Sequence, residues 1–245
     1  MKRPSNTLLR RFNITLLLRE SLRIILCLLF VNGGVSLAPA QSTTTPVAPE
    51  DDTQSWTDVQ LTVPVNKRFD LLINGQVRSG NDLRDFADAR ASVGAAFKAN
   101  RYLTLTSNYF RILMRQPVTA RRTLEHRFNL AAIVRFPDLE KFVITDRNLV
   151  ERRLFDLRPS TVRYRNRLQV ERPFRIGKVG VQLFASDEVF YDSGARAWTR
   201  NRFTVGGNHA FNKHFTGELY YMRQSDGRSR PGDLHVIGTN FKFRL

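Results

Sequence analysis

Residues 162–173, VRYRNRLQVERP, alternate. Arg163, Arg165, Arg167, Gln169 and Glu171 stand at every second position, with Val162, Tyr164, Leu168 and Val170 between them and only Asn166 off pattern. A period of two predicts a strand with one polar and one apolar face. The pattern recurs along the chain. In residues 87–98, Ala87, Ala89, Ala91, Val93, Ala95 and Phe97 alternate with Asp88, Arg90, Ser92, Gly94, Ala96 and Lys98. In residues 124–136, Phe128, Leu130, Ala132, Val134 and Phe136 oppose Glu125, Arg127, Asn129 and Arg135. Val59, Leu61, Val63 and Val65 share one face of residues 56–65, and further strand-like stretches cover 69–78, 102–113, 179–191, 198–211, 215–223 and 234–245. Residues 141–153, KFVITDRNLVERR, are less regular, and the pattern does not fix their phase. No segment after Trp56 makes a long amphipathic helix.

These eleven stretches are mostly ten residues or longer. Globular strands average about five or six residues, whereas membrane-spanning strands need about nine to eleven. The connections alternate in kind. NKR, ANR, PDLE and NKH are tight, while SGNDLRDF, RQPVTARR, LFDLRPS, DSGAR and QSDGRSRPG are longer and more polar. Short turns at one end and longer loops at the other suit an outer-membrane barrel. The expected fold is therefore all-β, an antiparallel transmembrane β-barrel over residues 55–245. Closed bacterial barrels have even strand numbers. A count of eleven thus points to ten strands, with the first segment outside the wall, or to twelve, with one missed; twelve is favoured.

Alternation alone also fits a soluble sandwich whose arginines face water. The amino terminus argues for export. Lys2, Arg3, Arg10, Arg11 and Arg23 precede the apolar run IILCLLFVNGGVSL and a small-residue site, Ala38-Pro39-Ala40. That order predicts a signal peptide over residues 1–40. The run is too short, and too interrupted by Asn32-Gly33-Gly34, for a spanning helix of roughly 20 residues. The polar stretch 41–54 reads as a flexible lead-in. The only cysteine, Cys27, lies within the signal segment, so the mature chain carries no disulfide framework.

The carboxyl terminus points the same way. NFKFRL places Phe241, Phe243 and Leu245 at alternate positions of a last strand, the arrangement expected of a barrel's assembly strand. Phe69, Tyr102, Phe136, Phe142, Phe211 and Phe215 bracket the tight turns, where an interfacial girdle sits.

The formal charge is +17, and arginine dominates. The arginines recur at alternate strand positions instead of forming the compact runs of a nucleic-acid tail, so no nucleic-acid partner is expected. In a barrel they line the lumen. Arg127, Arg135, Arg163, Arg165, Arg167, Arg200 and Arg202 are assigned inward, joined by Glu125, Glu151, Glu171 and Glu188. The favoured reading is a packed lumen in which arginine forks pair with carboxylates. The sharper one is an anion-selective pore for small acidic solutes.

Catalysis is not signalled. His126, His209, His214 and His235 show no metal-ligand spacing. A lipid-modifying hydrolase would need a serine and histidine beside an acid, and His126 and Glu125, as strand neighbours, face opposite ways. No catalytic, cofactor or metal site is assigned.

Trp56 with its strand, LEHRF, VERR, VRYRNRL, DEVF, RNRFTVGGN and GELYYMRQ together resemble an uncharacterised bacterial family, domain of unknown function 2490, of predicted outer-membrane barrels. The similarity runs from Trp56 to the C-terminus. The resemblance implies fold and location and brings no activity. The resulting expectation is a Gram-negative outer-membrane protein. Its partners are outer-membrane lipid, lipopolysaccharide and the barrel-assembly machinery, with small anionic solutes as candidate cargo. The rival is a secreted β-sandwich that binds an acidic polymer.

Overall fold

The computed structural model describes residues 51–115, 121–137, 139–229 and 231–245. The signal peptide, Cys27 and residues 41–50 of the lead-in lie outside the described residues. The described chain forms eleven strands and no helix. They are β1 Asp51–Pro64, β2 Phe69–Gly80, β3 Asp85–Lys98, β4 Leu103–Arg115, β5 Arg122–Arg135, β6 Val143–Phe155, β7 Thr161–Ile176, β8 Val179–Asp192, β9 Ala197–Ala210, β10 Phe215–Asp226 and β11 Asp233–Arg244. β1 begins at Asp51, so residues 51–54 belong to the wall.

Each strand pairs antiparallel with its neighbours in sequence, and β1 closes the barrel against β11. That last pairing is parallel, running from Asp51↔Asp233 to Thr62↔Arg244. Two expectations are thereby corrected. The barrel has eleven strands and not twelve, and its sheet is mixed and not wholly antiparallel. The reason is geometric: an up-and-down meander with an odd strand number brings its first and last strands together in the same direction. The even-number rule predicted a missing strand where the chain instead uses a parallel seam.

Parallel pairing is slightly weaker per residue, and side chains reinforce the seam from within. Trp56, Met222, Leu234 and Val236 form a buried interior cluster against which Tyr220 packs. Trp56 faces Gly238 across the seam, and a side chain on Gly238 would land inside the Tyr220 ring.

The contrast between connections is weaker than the sequence suggests. At the end that carries the C-terminus, residues 65–68, 99–102, 136–142, 177–178 and 211–214 join the strands. At the opposite end, residues 81–84, 116–121, 156–160, 193–196 and 227–232 do so. The strands run on into segments read as loops. SGNDLRDF is the clearest case: β2 continues to Gly80, and Asn81, Asp82 and Leu83 turn with φ of 52°, 52° and 68°. The Asp52 carboxylate holds this turn, accepting the Asn81 and Asp82 amides at 3.1 and 2.9 Å. Likewise β7 runs to Ile176, and Gly177, at φ 60°, helps reverse the chain.

The outer face carries the apolar set. Ile73, Val93, Leu130, Leu219 and Ile237 are each more than two-fifths exposed. Aromatics gather near both ends. Phe211 stacks on Phe215 and Phe215 on Phe243, at 5.1 and 5.0 Å between ring centres, and Phe69 meets Phe97 at 4.8 Å. Near the opposite end Trp198 packs edge-on against Tyr191 and Tyr164. A polar patch interrupts this face on β6–β9. Asp146 accepts amide protons from Asn148 and Asn166 at 2.6 and 2.7 Å, and Asp187 accepts from Asn201 at 2.9 Å. Asn166, off pattern in the sequence, belongs to this patch.

Candidate functional site: the arginine-lined interior

The alternation that builds each strand aims one set of side chains inward. Register then stacks those sets into rows. Asn129, Glu151, Arg163 and Asp192 form one row across β5–β8. Leu149, Arg165, Phe190, Arg200 and Asp226 form the next across β6–β10. Arg147, Arg167, Glu188, Arg202 and Gln224 form a third on the same strands.

Three buried glutamates organise the cluster. Glu125 accepts from Arg127 Nε at 2.8 Å, and from Arg153 Nε and Nη2 at 2.8 and 3.0 Å. Glu151 accepts from Arg163 Nε at 2.7 Å, Arg165 Nη1 at 2.8 Å and Arg127 Nη1 at 3.4 Å. Glu188 accepts from Arg165 Nε and Nη2 at 3.0 and 2.8 Å, and from Arg147 Nη2. Glu125 and Glu151 are 0 % exposed and Glu188 6 %. Such forked, charge-assisted bonds are the strong ones, and they offset the cost of taking charges out of water.

Aromatic rings support the cations from beneath. The Arg78 guanidinium lies 3.2 Å above the Trp56 ring centre. Arg165, Arg202 and Arg163 lie 4.5, 4.9 and 5.2 Å from that of Phe190. Arg200 pairs with Asp226, and Arg90 forks onto Asp88 at 2.7 and 2.9 Å.

The structure thus brings together nine of the eleven expected charges: Arg127, Arg163, Arg165, Arg167, Arg200, Arg202, Glu125, Glu151 and Glu188. Arg135 and Glu171 share their parity but not their height. Arg135 is exposed at the last position of β5, near the C-terminal end. Glu171 accepts from Gln169 at 2.6 Å, apart from the three glutamates. The structure adds Arg78, Arg147 and Arg153 to the expected set. Arg147 and Arg153 lie at even spacing from Glu151, so placing that one residue inward fixes both.

The carboxylates lie behind the arginines. A cavity of about 830 Å³ fills the interior, and among the described residues its lining includes twelve arginines, Arg90, Arg147, Arg167 and Arg202 among them, but only three acids, Asp58, Asp192 and Asp226. The three glutamates do not line it. It reaches from Ala195 and Arg228, beyond the loop-end strand termini, down to Gln60, Leu72 and Ile133. Nearer the C-terminal end, Asp70 pairs with Lys98 and Arg244, and Glu218 with Lys242.

The histidines lie elsewhere. His126 meets Tyr109 on the outer face at 2.6 Å, and His235 meets Tyr221 at 2.7 Å. His209 and His214 each contact a backbone carbonyl. Phe241 and Phe243 face outward on β11, in register with Val59 and Leu61 of β1, and the Leu245 amide donates to Thr62 O at 3.2 Å. No group of three or more potential metal ligands occurs among the described residues.

No protein of curated function matches the chain. A family model does match, over residues 53–234, so it begins three residues before Trp56 and leaves most of β11 outside. On that span, the chain belongs to the family described as protein of unknown function (DUF2490).

Proposed function

We propose that the protein is an integral outer-membrane β-barrel whose cationic interior selects small acidic solutes. The observation that carries this reading is the division of charge inside the wall. Glutamates are buried under arginines, and among the described residues the surface left facing the cavity carries twelve guanidiniums against three carboxylates. Arginines in excess of the carboxylates that pair with them attract anions in a confined pore. The membrane setting is supported by strands of 12 to 16 residues, beyond the roughly nine to eleven a bilayer needs. It is supported too by the exposed apolar face, by aromatics at both ends, and by closure, which leaves no unpaired edge. Outer-membrane lipid, lipopolysaccharide and the assembly machinery are the partners this setting implies.

A second reading, a lumen filled by its own ion pairs, draws on the saturation of Glu125, Glu151 and Glu188 by five arginines. It predicts a silent barrel.

Fractionation tests the setting. The protein is expected in the outer-membrane fraction, released only by detergent and migrating faster unheated than boiled. A product freed by osmotic shock without detergent would support a soluble barrel instead.

A further inference from the structure

The third row of the interior has more cations than its carboxylate can answer. Arg147 and Arg167 stand directly opposite each other on β6 and β7, and Arg167 and Arg202 flank Glu188 on β7 and β9. Like charges directly opposite across a sheet repel. Glu188 does not relieve them all, because its oxygens already accept from Arg165 and Arg147. Arg167 makes no ion pair among the described residues, and its buried Nε has no hydrogen-bond partner. The Nε of Arg147 is buried and unpartnered as well. Arg202 gives its Nε to a neutral acceptor, Gln224 Oε1, at 2.8 Å. All three arginines line the cavity.

We infer that Arg147, Arg167 and Arg202 form a binding station for a doubly charged oxyanion of the phosphate class. The row sets three guanidiniums against one carboxylate that Arg165 also shares, so at least two positive charges remain for a phosphate dianion to neutralise. Guanidinium forks match tetrahedral oxyanions through paired N–H donors, which a chloride ion cannot exploit. The neighbouring arginines are already committed: Arg163 and Arg165 hold Glu151, and Arg127 and Arg153 hold Glu125. Arg158 and Arg228 also line the cavity but lie in the loops at its far end, so among the interior strand arginines the free donors fall in this row. The inference rests on the cationic-lumen reading and assigns it a substrate class.

The test is equilibrium binding of inorganic phosphate to the full mature chain, folded in a phosphate-free, uncharged detergent at constant ionic strength set with chloride. Saturable binding of one phosphate per barrel is expected. Arg167→Gln is expected to weaken it by roughly tenfold or more, the loss of one charge-assisted fork. Arg167→Lys keeps the charge without the fork and is expected to weaken it several-fold. Arg111→Gln, on the outer face, is expected to leave it unchanged. Heat-dependent gel mobility selects folded samples, and Arg167→Lys supplies the answer should the glutamine variant fail to fold. No saturable binding, or equal binding by wild type and Arg167→Lys, overturns the station. So does binding that appears only with anionic phospholipid in the micelle and falls with Arg111→Gln, which places the phosphate on the lipid-facing wall. Phosphate binding without conductance in a bilayer keeps the station and removes the channel. Conductance without phosphate binding does the reverse.

Discussion

Replacing Glu151 with alanine is expected to destabilise the barrel by about 3–5 kcal/mol, the range for leaving buried partners of a lost charge uncompensated. Glu151 is fully buried and ties three strands together: it sits on β6, accepts from Arg127 of β5, and accepts from Arg163 and Arg165 of β7. Its removal strands Arg163 without a carboxylate and leaves Arg165 and Arg127 with one each. Nothing in the mutant interior replaces the lost acceptor oxygens. Urea unfolding in detergent, followed by gel mobility, measures the loss. Glu151→Gln is expected to lose less, since an acceptor oxygen survives. Glu171→Ala is the contrast: its hydrogen bond comes from Gln169, and a change within about 0.5 kcal/mol is expected, as for most sites away from such networks. A Glu151→Ala barrel as stable as wild type would show that the ion-pair cluster does not hold the wall.

Deleting residues 241–245 is expected to cut the yield of folded barrel by roughly tenfold or more, because in the proposed membrane setting a barrel tolerates no open edge. The segment pairs on both sides. Phe241 and Phe243 stand opposite Val59 and Leu61 of β1, and opposite Gly217 and Phe215 of β10. Its loss exposes backbone groups of β1 and β10 at the C-terminal end and removes the Phe215–Phe243 stack. Phe243→Ala keeps the backbone ladder and is expected to reduce yield only modestly. Normal amounts of heat-modifiable protein from the truncated chain would contradict a barrel closed by β11.

The strands and their faces were largely legible, because a period of two is a direct physical consequence of the pleat. Residues 87–98, 124–136 and 162–171 take the faces their alternation indicates, and the eleven stretches are the eleven strands. The twelfth strand came from a parity rule about other barrels and not from any residue. Height was not legible. Parity puts Arg135, Glu171 and Arg127 on one face, but only register separates the first two from the cluster. The phase of residues 141–153 was hidden because Asp146, Asn148 and Arg152 are polar yet face outward, so both faces of β6 read as polar. Phe190 and Trp56 were hidden for the mirror reason: an apolar ring on the inner face looks like wall until arginines are found over it.

The register also divides the three inward arginines of residues 162–173, Arg163, Arg165 and Arg167. Arg163 and Arg165 hold glutamates, so truncating Arg165 leaves Glu151 and Glu188 short of donors and reports on stability. Arg167 has no carboxylate to strand, which makes it the residue that reports on the lumen. The most direct measurement is therefore the reversal potential of the purified barrel in a planar bilayer under a chloride gradient, for wild type and Arg167→Gln. Discrete channels with a reversal potential on the anion side, reduced in Arg167→Gln at unchanged stability, are the result predicted. A folded wild-type barrel that gives no channel events, or one equally selective without Arg167, would contradict the cationic lumen as the working part of this protein.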